Sequence, residues 1–307
     1  MRSVMKSKPV FLPSIMQNTT LAPRAALPLR AALPPRAARL SFRSTLLLRV
    51  ALSLFAALSI CAVLLSASCS ISDDKSFKVG LYESGAPLVF MEDKRTMTGF
   101  EVELANLISD RMGEKPSIEL LALEDIPAAL ENGSVSCVIS SLEQIHVIME
   151  KYDETAPFIE YGTVIVKLAD DGSIINQYSL TGKQVGTTIG TSAEALCEEF
   201  LKEIFFDLRK YDLPNQPFQE LWLKKKDAAV VDEFMARYYE KNDPQVYKIL
   251  DLVFQGRQYG IRLSKTISEE KAEAITDALQ EIKTDGALSE LYMKWFDFDF
   301  TPVSNAG

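Results

Sequence analysis

The chain of 307 residues contains one histidine and four cysteines, and these scarcities exclude more than the rest of its composition does. Zinc and haem sites draw on imidazole and thiolate ligands, and His146 with two cysteines in separate elements supplies too few of either. We therefore expect no metal and no other cofactor, and read His146 as a surface or packing residue. Cys137 falls in a buried-strand pattern and Cys197 in a helical one, so both are expected as free thiols. Acidic residues are missing from the first 70 positions, which hold nine of the 33 basic side chains. The remaining chain carries 24 basic against 42 acidic residues, and so acidic a body argues against nucleic acid as a partner. A long apolar run is missing too: Val50–Leu65 has sixteen residues, short of the roughly 20 that span a bilayer.

That run suits the core of a signal peptide, with Arg43 and Arg49 before it and Ser66-Ala67-Ser68-Cys69 after it. The small residues ahead of Cys69 resemble the lipobox of bacterial lipoproteins, in which the cysteine is lipidated and becomes the new N-terminus. Ser66 stands where that motif usually has Leu, and Leu65 lies one place earlier. The resemblance implies export and a lipid anchor at Cys69. Residues 1–49 read as a disordered basic leader without a core-forming period, 50–69 as signal core and lipobox, and 70–76 as a polar tether.

The body opens with a strand at Phe77–Leu81. A helix follows Gly99, with Val102, Ala105, Ile108 and Met112 on one face. A strand at Ile118–Leu121, a helix at Asp125–Glu131 closed by Asn132-Gly133, and a strand at Ser136–Ile139 complete a β-α-β-α-β unit. Beyond an extended segment at Glu160–Val166 the pattern restarts. Val185–Ile189 reads as a strand, Gly190-Thr191-Ser192 as a turn and Ala193–Leu201 as a helix, with Thr191 and Glu194 spaced as a capping box. A short strand at Asp207–Tyr211, a helix at Gln216–Lys225 and a strand at Asp227–Val231 build a second α/β unit. Tyr259–Leu263 is one more strand, and two helices follow it on either side of Gly286. Ligands of open α/β sheets gather at the carboxyl ends of strands, and Ser140, Thr191, Ser192 and Asp232 all occupy such ends. The α-helix starting after Gly190 also offers unpaired N–H groups and a positive dipole end to an anion.

Five stretches together resemble the extracytoplasmic solute-binding proteins of polar-amino-acid ABC importers. They are Gly99-Phe100-Glu101-Val102-Glu103-Leu104-Ala105, Tyr152–Phe158, Gly182–Gly186 with Gly190–Glu194, Asp227–Glu233, and Asp285-Gly286 through Lys294-Trp295-Phe296. The resemblance implies an α/β fold of the type II periplasmic-binding-protein kind: two lobes, each a mixed sheet flanked by helices, joined by a two-strand hinge. It places lobe one at 77–161 plus 256–307 and lobe two at 162–255. It implies a monomeric, non-enzymatic receptor, lipid-anchored outside the cell membrane, that captures a solute and delivers it to a membrane permease. Carried over to this chain, Asp232 receives the solute's ammonium and the Thr191-Ser192 amides meet its carboxylate, while Ser140 and Ser141 add hydrogen bonds.

The chain also departs from that family. Its carboxylate-clamping arginine falls on Ile148, with no nearby residue expected to replace it, and its stacking aromatics fall on Gly85, Leu88 and Leu123. Tyr82 and Phe90 are left as the aromatics near the mouth, and a Ser/Thr position becomes Glu143. Either Glu143 and Asp232 together form an acidic pocket for an amine, a diamine or a cationic amino-acid derivative, or Glu143 points to solvent and Asp232 and the helix N-terminus hold an amino acid alone. Two other functions stay open: a cyclohexadienyl-dehydratase-like enzyme with Glu143 or Asp232 as acid and base, and a sensor with a vestigial pocket.

Overall fold

A computed structural model of the protein describes residues 76–302. The expected leader and signal core, Cys61, the cysteine expected to carry a lipid, Cys69, and all but the last residue of the expected tether lie outside the described residues. The first sheet is built on β1 (Ser76–Tyr82), which runs parallel to β4 (Lys115–Leu121) on one side and to β5 (Cys137–Val138) on the other. β11 (Arg262–Leu263) closes the far edge antiparallel to β5. Phe77, Val79 and Leu81 of β1 are fully buried, as a central parallel strand requires. β4 is the opposite edge, and its Lys115 and Glu119 are exposed, which discourages pairing with another chain. A hairpin of β2 (Phe90–Met91) and β3 (Met97–Thr98) precedes α1 (Phe100–Met112).

Gly99 starts α1 at φ 133°, and a Cβ there would sit 2.0 Å from the Leu88 carbonyl oxygen, so glycine is the residue that fits. Glu101 is buried in the first turn and accepts a hydrogen bond from the Ser141 amide at 2.5 Å, tying α1 to the turn after β5. Burial pushes its carboxyl up to about 8 despite that bond. α2 (Ile126–Asn132) ends at Gly133 in the left-handed conformation, as its sequence indicates.

The second sheet has the order β10-β6-β9-β7-β8. β6 (Ile159–Leu168) and β10 (Tyr247–Tyr259) form its long antiparallel ribbon and carry the chain between the lobes. β9 (Ala228–Asp232) pairs with β6 antiparallel and with β7 (Gln184–Thr188) parallel, and β8 (Asp207–Tyr211) lies outside β7. Val185, Ala193, Leu196, Cys197, Ala228 and Val230 form a core under α4 (Ser192–Phe200). Ala229 and Val231 point to the other face, toward α5 (Gln216–Trp222) and α6 (Glu233–Asn242).

The lobes also meet on the side of α7 (Glu269–Thr284) and α8 (Ala287–Phe296). Phe100 stacks on Tyr292 at 5.0 Å, Phe296 lies 5.2 Å from Phe100, and Phe234 of α6 meets Phe296 edge-on at 6.1 Å. Lys241 donates to the Met293 and Lys294 carbonyls near the C-terminus of α8, where the helix dipole favours a cation.

Three elements differ from the sequence pattern. The strand expected at Tyr259–Leu263 is instead the end of the thirteen-residue β10, a bend and the two residues of β11. Asp251, Gln255, Gly256, Arg257 and Gln258 interrupt any apolar alternation, because β10 is the sheet's edge and much of it is exposed. The helices α3 (Glu143–Ile148) and α6 are not in the sequence pattern either: α3 follows Leu142, which offers no cap, and α6 starts at Asp232, a capping type whose side chain is not used as one.

Candidate functional site

The alternation of the second sheet decides what reaches the gap between the lobes. Ala228, Val230 and Asp232 share the α4 face of β9, and Ile165 and Thr163 continue the same face on β6, with Thr163 directly opposite Asp232. The apolar column thus turns polar where the strands reach the lobe boundary. Tyr161, two residues further along β6, pairs with Arg257 of β10. The register shifts between Phe254 and Arg257, and such a bulge re-aims the side chains beyond it.

Asp232 is 4 % exposed, and its Oδ1 has no hydrogen-bond partner. It stands at the N-cap of α6 but makes no capping hydrogen bond, so the ordinary structural use of an aspartate there is not taken. Burial, then the nearby Glu143 carboxylate, pushes its carboxyl up to about 7. Tyr161 and Tyr259 lie close enough that Asp232 raises both phenols further above their ordinary range, which burial has already shifted. The Tyr259 hydroxyl is buried without a partner, whereas that of Tyr161 donates to the Ser141 carbonyl at 2.7 Å.

The α4 N-terminus is occupied. Glu143, the first residue of α3, accepts from the Ser192 amide at 2.5 Å and from the Ser192 hydroxyl at 2.9 Å. Arg257 holds the same carboxylate at 3.2 Å and also donates to the Ser192 hydroxyl. The Glu143 side chain is only 13 % exposed, so of the two orientations the sequence leaves open the solvent-facing one is not taken: two charge-assisted partners draw it inward. The arginine at this place comes from a distant strand and not from the neighbourhood of Ile148. Arg257 reaches the α4 start from β10, and a guanidinium 109 positions from Ile148 in the sequence leaves no local signal there.

Thr191 behaves as the capping box indicates: its hydroxyl accepts from the Glu194 amide at 3.3 Å. Glu194 reaches back to the Gly190 amide at 2.7 Å, one residue earlier than the motif usually does. Gly190, at φ 73°, makes the left-handed turn that delivers Thr191 and Ser192 to the gap. Ser140 and Ser141 are buried at the first lobe's edge. The Ser140 hydroxyl serves the Leu142 amide, while that of Ser141 is unpartnered. Tyr82 and Leu123 line a cavity of about 320 Å³ together with Gln144, Ile189, Gly190 and Leu213, residues of both lobes. Gln144 crosses the gap to donate to the Ile189 carbonyl at 3.1 Å.

Leu88 and Phe90 do not join this set. Leu88 is buried in the first lobe's core beneath Gly99, and Phe90 meets Trp295 edge-on at 6.1 Å. The turn before β2 sets Leu88 against the start of α1, and the hairpin turns Phe90 toward α8. Sequence reasoning missed Arg257, Gln144, Tyr161 and Tyr259, whose relevance arises only when β6, β10 and α3 converge. His146 packs on Tyr259 at 4.2 Å and bonds the Ser140 carbonyl at 2.7 Å, a packing residue rather than a surface one. Cys137 and Cys197 are free and buried, and burial pushes the Cys197 thiol up to about 12.

The model of the bacterial extracellular solute-binding proteins, family 3, matches residues 77–298. The L-cystine-binding protein TcyJ of Escherichia coli (strain K12) is 30% identical over 224 residues, covering 73% of this chain and 83% of that protein. An ancestral arginine-binding protein bound to arginine superposes with a TM-score of 0.59 at 30% identity, covering 72% of this chain and 98% of that one. An ancestral amino acid-binding protein described as a precursor of cyclohexadienyl dehydratase superposes with a TM-score of 0.60 at 26% identity, covering 72% and 96%.

Proposed function

The chain belongs to the bacterial extracellular solute-binding proteins of family 3, and from that premise we propose that it captures a small amine-bearing solute, an amino acid or an amine, between its two lobes. The observation that carries this reading is the unpartnered, buried carboxylate of Asp232 at the lobe boundary. A buried carboxylate left without a donor is costly, and a ligand ammonium supplies the missing partner. Closure of the lobes about β6 and β10 would enclose the solute. We place lobe one at 77–161 with 256–307 and lobe two at 162–255, a lipid anchor at Cys69 outside the cell membrane, and delivery to an ABC permease as the consequence of capture.

Relatives named for binding cystine and arginine put amino acids of that kind, and amines of similar size, first in a thermal-shift screen. A ligand at about a hundred times its dissociation constant adds about 2.7 kcal/mol of stability. We expect at least one amine-bearing solute to raise the midpoint and Asp232→Asn to cut the rise by about half or more; an equal rise in the variant sinks the reading. Binding is preferred to turnover because Glu143, one of the two carboxyls a dehydratase would use, is held by Ser192 and Arg257. Prephenate and arogenate, followed for product by absorbance, test that preference.

A further inference from the structure

In a receptor for an α-amino acid the α4 N-terminus is the natural seat of the solute's carboxylate. Here the seat is filled from within. Glu143 takes the Ser192 amide and hydroxyl, and Arg257 takes Glu143. Its neighbour Gln144 docks on the Ile189 carbonyl, so two consecutive side chains of α3 pin the start of α4. A second feature points to a ligand independently: Asp232, 4 % exposed, keeps an unpartnered oxygen beside this joint.

The charges favour one class of solute. Once Asp232 has ionised to meet an ammonium, it and Glu143 supply two negative charges and Arg257 one positive, so that single ammonium neutralises the set. A zwitterionic amino acid would leave the imbalance unchanged, and its carboxylate would compete with Glu143 for donors already engaged. We propose that Glu143 is a built-in replacement for the solute's carboxylate, and that this protein selects amines carrying no carboxylate over the corresponding α-amino acids. This rests on the reading of Asp232 as the ammonium receptor. Glu143 is then a specificity residue that acts by occupying the carboxylate's place.

The test is a set of matched pairs of a single ammonium against its zwitterion, measured by calorimetry on the purified protein: isobutylamine against valine, phenethylamine against phenylalanine, and histamine against histidine. In at least one pair the amine should bind about 10- to 100-fold tighter than its amino acid, the scale of one charge-assisted contact. Glu143→Ala, which frees Ser192 and Arg257, should narrow or reverse that preference. An amino acid that equals or exceeds its amine in every binding pair overturns the inference, while loss of that binding in Asp232→Asn would leave the ammonium role standing. If no member of any pair binds, both fail. If Glu143→Ala does not fold, the wild-type ranking alone decides.

Discussion

The start of α4 and the end of β9 border the same gap, and they differ in how their polar groups are satisfied. At α4 each charged group has a partner: Ser192 and Arg257 enclose Glu143. At β9 Asp232 has an orphaned oxygen and a carboxyl shifted to about 7. The first arrangement is a finished piece of structure and the second is unfinished. A folded protein tolerates a buried unpaired carboxylate poorly, so the unfinished end is where a partner from outside is to be sought.

The sharpest way to break this comparison is Asp232→Asn. It should weaken binding of an amine by about 10- to 150-fold, the range of a hydrogen bond to a charged group, without lowering ligand-free stability near neutral pH. Calorimetry and urea denaturation read the two halves separately. A variant that loses stability as well as binding would move Asp232 into the finished class.

Glu101 offers a control in the first lobe, a buried carboxyl that does have a partner. It holds its proton to about pH 8 in the folded protein, against 4.5 for the ordinary group. Its contribution therefore favours folding most below about pH 4.5 and is lost as pH rises toward 8, by at most about 1.4 kcal/mol per unit. Glu101→Gln keeps an acceptor for Ser141 and should flatten that decline in urea melts at about pH 5 and about pH 8. An undiminished slope would show that other groups produce it.

Smaller effects sharpen the finished side. Thr191→Ala removes the cap from α4 and should cost about 1 kcal/mol of stability by denaturant titration. Glu143 and Arg257 should couple by about 0.2–1 kcal/mol in a double-mutant cycle of Glu143→Gln with Arg257→Met, because solvent screens the half-exposed guanidinium. A coupling indistinguishable from zero would reduce that contact to a bystander.

The α/β character and the main strand-turn-helix units were legible in the sequence because they rest on local signals. Val185–Ile189 is a short β-branched run, Gly190 turns, and Thr191 caps. Asp232 was legible because a strand end is a fixed place in such a fold. Arg257 was not, since its position depends on a bulge in an edge strand with little apolar pattern. Glu143 was identified by type, yet its direction depends on the lobes meeting. The places of Leu88 and Phe90 were not legible, because the turn at 85–89 buries Leu88 against the start of α1 and the hairpin at 90–98 directs Phe90 to α8.

The most direct test of the ammonium role is proton release on binding, measured by calorimetry at about pH 6 in two buffers of different ionisation enthalpy. The carboxyl of Asp232 is mostly protonated there and must ionise to receive an ammonium, with Glu143, Arg257, Tyr161 and Tyr259 as its charged and titratable neighbours. The account predicts release of about one proton per amine bound, falling away above about pH 7. Binding with the same enthalpy in both buffers at the lower pH would contradict it.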